Sequence, residues 1–105
     1  MALTRDFRET VRARIQADSA FRAALLSEAV ELLLTGDIST GKSILRDYVN
    51  ATIGFEALST ETGLPTKSLM RMLSKTGNPR ADNLFNVIAA LQKHQGIQLS
   101  VSTAA

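Results

Sequence analysis

Lys67, Arg71, Lys75 and Arg80 are cationic side chains with no acid anywhere between the first and the last of them. Ammonium and guanidinium groups set so close recognise anions, and their N–H groups suit the oxygens of a phosphate. On a helix Thr66, Lys67, Met70 and Arg71 share one face, because residues three and four apart are neighbours. An arginine so placed can bond bidentately to guanine O6 and N7, and a lysine can reach guanine or phosphate. Threonine and methionine can meet a thymine methyl. We therefore expect Thr66, Lys67, Met70 and Arg71 to read base edges, with Lys75, Asn78 and Arg80 clamping phosphates beside them.

Such a face must be held away from the protein body, and the flanking residues show how. Phe55–Thr62 and the stretch after Pro65 read as two short helices hinged at Gly63, where the chain needs a positive φ that other residues adopt at a cost. Leu58, Leu64, Leu69 and Met72 give the two helices one apolar seam across a tight turn. Ser59 is small enough to let the two axes approach. Pro65 is expected in the first turn of the second helix, where its missing N–H has no partner to lose. Lys75-Thr-Gly-Asn-Pro-Arg80 is a turn. Asp82 is expected to cap a following helix with Leu84, Phe85, Val87, Ile88 and Leu91 facing inward.

Three helices are expected upstream. The first starts at an N-cap Thr4 and carries a narrow stripe of Phe7, Val11 and Ile15; the second starts at Asp18 or Ser19. Phe21, Ala24, Leu25, Ala29, Leu32 and Leu33 make its apolar face, and Gly36 stops it. Asp37 or Ser39 starts the third, with Ile44, Leu45, Tyr48, Val49 and Ile53 recurring at helical period until Gly54. Gly96 ends the sixth helix, and Ile97–Val101 alternates like a short edge strand. The expected class is all-α, with an N-terminal helical extension over 1–36, a DNA-binding unit over 37–101 and a frayed tail over 102–105.

Composition narrows the partners. The 105 residues suit one core, and 45% hydrophobic content with 5% aromatic content suits an Ala/Leu-rich helical chain. The net charge of +2 is unevenly spread: Leu64–Ala105 holds five basic residues and one acid, and Met1–Gly63 seven basic residues and nine acids. Such an electropositive footprint is what phosphate binding needs. Cysteine is absent, no apolar run approaches a membrane span, and the charged N-terminus lacks an apolar signal region, so a soluble cytoplasmic protein without membrane association is expected.

Other chemistries are weaker. Gly36-Asp-Ile-Ser-Thr-Gly41-Lys42-Ser43 satisfies the phosphate-loop expression in full, which makes a nucleotide-binding protein the remote alternative. A true phosphate loop joins a buried strand to its helix, whereas Glu28–Thr35 continues a helical period, so Gly36 and Gly41 read as a helix stop and a helix-start residue. His94 is the only histidine, near a helix C-terminus where it meets the dipole. Glu28 and Glu31 read as a solvated flank, and Tyr48 and Phe55 as core or seam residues. We expect no enzyme, no catalytic residue, no metal and no cofactor.

With these motifs in hand, the chain from about Leu45 to Val101 resembles Xre-like regulators of the Cro and lambda-repressor type, closest to prophage and addiction-module regulators. The resemblance is carried by Glu61-Thr-Gly-Leu-Pro65, Lys67-Ser-Leu-Met-Arg-Met-Leu73, Gly77-Asn-Pro79 with Asp82, and Ile97-Gln-Leu-Ser-Val101. It implies a lambda-repressor-like helix-turn-helix bundle, base readers at Thr66, Lys67, Met70 and Arg71, and a homodimer on a double-stranded operator. It also implies a transcription regulator, a repressor first. The alternative is an antitoxin of a toxin–antitoxin pair whose N-terminal helices or closing strand engage a small toxin. This chain departs from the family pattern at Phe55, Ser59 and Pro65, where glutamine, alanine and a Ser/Thr cap are frequent.

Overall fold

The computed structural model describes residues 5–104, with the side chains of Arg5 and Asp6 left out, and the Thr4 cap and Ala105 lie outside the described residues. The described residues form six helices and no strand: α1 Arg5–Ala17, α2 Ser19–Leu34, α3 Ile38–Ala51, α4 Phe55–Thr62, α5 Thr66–Met72 and α6 Ala81–Gln95. The all-α class holds for them.

Local chemistry sets most boundaries. Asp18 caps α2 by accepting from the Phe21 N–H at 3.1 Å, and Asp37 caps α3 by accepting from the Thr40 N–H at 3.3 Å. α6 starts two residues earlier than an Asp82 cap would allow. Arg80, in extended backbone after Pro79, takes the cap position, and Asp82 sits in the first turn accepting from the Asn83 N–H at 2.9 Å. There its carboxylate complements the helix dipole. Pro65 likewise stands just outside α5, at its cap, with ψ 143°.

α2 and α3 pack closely enough that Gly41, inside α3, lies against Leu33 and the Ala29 carbonyl of α2. One apolar cluster runs from Leu26 and Ala29 through Leu45, Tyr48 and Val49 to Leu58, Leu69, Met72, Leu73, Val87, Ile88 and Leu91. Several residues expected inside are not. Phe85 is 61% exposed, because the buried face of α6 is the Leu84, Val87, Ile88 and Leu91 stripe and Phe85 lies about 100° round from Leu84. Phe7 and Ala24 also face solvent, and Leu26 holds the α2 core position instead.

The expected strand at 97–101 does not form. The Ile97 and Leu99 N–H groups are taken by the Gln92 carbonyl and the Gln92 side chain, at 3.1 and 2.7 Å, so no ladder forms among the described residues. The alternation survives only as packing: Ile97 and Leu99 lean on the core, and Val101 is exposed.

At the C-terminal ends of α3 and α6, Gln95 Oε1 accepts from both Arg22 Nε (2.9 Å) and the Tyr48 hydroxyl (3.1 Å). Arg22 also donates to the Ile15 and Gln16 carbonyls that end α1. Burial pushes the Tyr48 phenol above its ordinary 10.0, against the smaller downward pull of Arg22. A phenol harder to ionise when folded stabilises the fold fully below pH 10.0, and that contribution is lost as pH rises through the raised value. Unfolding titrations above pH 10 are expected to show a steeper loss of stability in the wild type than in Tyr48→Phe; equal slopes would contradict this.

Candidate functional site

α5 is short, and its stability comes from what it buries. Leu69 and Met72, with Leu73 just beyond, turn into the core, which leaves Lys67, Met70 and Arg71 exposed on the opposite side. Thr66 is half-buried at the edge of that face. The four expected base readers therefore lie together on α5.

The elbow before them is tightly bonded. Gly63 has φ 76° and ψ 6°, and its N–H donates to the Ser59 carbonyl at 2.9 Å. Ser59 Oγ donates to the Leu64 carbonyl at 2.6 Å, so its small size serves a hydrogen bond as well as close approach. Thr62 Oγ1 donates to the Leu58 carbonyl and accepts from the Leu64 N–H. Asn86 of α6 reaches the Thr62 carbonyl at 3.0 Å, which ties the elbow to the next helix.

Beyond α5 the chain folds back on itself. Gly77 lies so close to the end of α5 that a Cβ there would fall on the Arg71 carbonyl oxygen. Its N–H is held by Ser74, whose hydroxyl donates to that same Arg71 carbonyl at 2.7 Å. Lys75, Asn78 and Arg80 leave this turn exposed to solvent. Arg80 Nε lies 3.4 Å from Asp82 Oδ1, an exposed ion pair of the kind that contributes little and is easily exchanged for another anion. Asn78 and Pro79 meet Ser68, Arg71, Met72 and Asn83 around a cleft of about 160 Å³, which brings a residue expected to clamp phosphate beside one expected to read a base. Ser68 and Asn83 were not among the expected residues; their polar types beside Arg71 and Asp82 were the available signal.

The residues of the phosphate-loop expression do not form a phosphate loop. Gly41 and Lys42 are inside α3, α2 precedes them instead of a strand, and Lys42 is 4% exposed with Nζ donating to the Gly77 carbonyl. His94 is exposed and lines a polar cleft of about 400 Å³ with Gln16, Arg22, Thr52 and Gln95, at the far ends of α3 and α6. No helix of the described residues is long and apolar enough to cross a membrane.

No protein-family model, curated protein or solved structure matches this chain.

Two glycines at the site answer to different constraints, and alanine separates them. Gly63 has open space around its missing Cβ, so Gly63→Ala should cost only the left-handed backbone penalty of about 1–2 kcal/mol. Gly77→Ala meets backbone, so the turn must move, at about 1–3 kcal/mol and with displaced amide resonances over 74–80. Denaturant unfolding with amide spectra checks both. Unmoved resonances in Gly77→Ala would contradict the contact.

Proposed function

We propose that this protein is a sequence-specific DNA-binding regulator, a transcriptional repressor of the lambda-repressor-like helix-turn-helix kind, with α4 and α5 as the paired helices and α5 as the reader. The observation that carries this reading is the division of α5: Leu69 and Met72 are buried, while Lys67, Met70 and Arg71 stand together in solvent on its other side. A helix so presented fits a major groove with its side chains toward the base edges.

The surroundings support it. Exposed Lys75, Asn78 and Arg80 follow α5 directly, where the phosphates flanking a groove would lie. The resemblance of residues 45–101 to Xre-like regulators points the same way. On this reading two copies bind a two-fold operator, their reader helices about 34 Å apart to enter successive major grooves. Much of the affinity comes from phosphate neutralisation, so it falls steeply with salt.

Selection of bound duplexes from a random pool, at two salt concentrations, tests this directly. A defined half-site should emerge; a pool that stays random would refute sequence-specific reading. Arg71→Ala should then cost ~1–3 kcal/mol and relax the preference at one base pair. Lys75→Ala should weaken all sequences alike and lower the salt slope by about 1. An unchanged half-site in Arg71→Ala, or a base-selective effect in Lys75→Ala, would reassign those residues.

A further inference from the structure

Lys42 is the one charged side chain buried among the described residues, and it does something the proposed reading has not used. It rises from α3 and crosses to the loop after α5, where Nζ donates to the Gly77 carbonyl, thirty-five positions along the chain. We propose that Lys42 is a positioning residue for nucleic-acid binding, setting from inside the protein the placement of the loop that presents Lys75, Asn78 and Arg80 to phosphates. The proposal rests on the reading of the site given above.

The hydrogen bonds of the loop support it. Gly77 has its N–H bonded to Ser74, a partner within its own turn. Among the described residues Arg80 pairs with Asp82 two residues on, at the surface. Among the described residues, the only hydrogen bond that reaches residues 75–80 from a distant helix is the one from Lys42. Without it the turn still rests against the end of α5, but among the described residues no other hydrogen bond holds the carbonyl from which Asn78 and Pro79 depart.

The choice of residue argues the same way. Burying an ammonium group is costly, and one carbonyl partner offsets that only in part. Methionine would fill a similar volume without that cost, so stability alone does not account for a lysine here. Its length and its donor do, because they hold one carbonyl at a fixed distance from α3. α3 in turn is anchored in the core by Leu45, Tyr48 and Val49. The loop thereby takes its position from the core as well as from the short helix that precedes it.

The test uses the full chain with Lys42→Met, and Lys42→Gln as a second variant, each checked for helical content. Amide hydrogen exchange is measured without DNA, and binding to a 30-base-pair random-sequence duplex is measured across salt. Exchange should quicken over residues 75–80 and not in α1 or α2. Duplex affinity should fall about tenfold, with a salt slope shallower by about 1–2, and selection from a random pool should return the wild-type half-site. Adding Lys75→Ala to Lys42→Met should cost less than the two effects summed, since both act on one set of contacts. Wild-type affinity and slope in a folded Lys42→Met protein would overturn the proposal and leave the DNA-binding reading intact. Loss of helical structure in both variants would make Lys42 a residue of the whole core and overturn it too. Failure of the wild type to bind any duplex would sink the reading, and this role for Lys42 with it, whatever the exchange data showed about the loop.

Discussion

The arrangement depends on a helix too short to exist alone. α5 has seven residues, well under the length at which an isolated helix is stable in water, because nucleation fixes several residues for each early hydrogen bond. It persists because Leu69 and Met72 are buried against a core that Leu58, Val87, Ile88 and Leu91 complete from α4 and α6. This dependence decides which side of α5 meets solvent. Rotating the helix to bury Lys67 or Arg71 would expose the side chains that hold it in place.

The rest of the molecule secures that core at both ends of α3 and α6. At their C-terminal ends the amide of Gln95 gathers Arg22 and Tyr48, and Arg22 closes the end of α1 at the same point. At the N-terminal end of α3, Lys42 reaches the turn that leads into α6. Arginines fasten α1 to its neighbours: Arg12 donates to the Asn50 carbonyl at 3.0 Å, and Arg14 lies over the Phe21 ring at 4.3 Å. Polar contacts on the periphery thus set how helices with few large aromatic residues are oriented.

Much of this was legible in the chain because the signals are local. Phe55–Thr62, the starts of α2 and α3 to within a choice of two caps, the positive φ of Gly63 and the stop at Gly96 each follow from a few adjacent residues. The solvent face of α5 follows from its period. What was not legible depends on partners far along the chain. Phe85 reads as core until the width of the buried stripe on α6 is known, and Ile97–Val101 reads as a strand until Gln92 takes its amides. Lys42 sits in a pattern that suggests a nucleotide site, and its actual acceptor lies beyond two intervening helices. Periodicity cannot reveal a contact of that kind.

α5 is also closed at both ends. Pro65 disfavours helical backbone at Leu64, so no turn can be added before Thr66. Beyond Met72, Gly77 occupies the space against the final carbonyls, so no turn can be added there. Seven residues at 1.5 Å each make a rod of roughly 10 Å, comparable with about three stacked base pairs at 3.4 Å. If α5 reads DNA as proposed, a chain so built has a vocabulary of very short words. Discrimination within a genome would then rest on the spacing between two such words more than on the spelling of either.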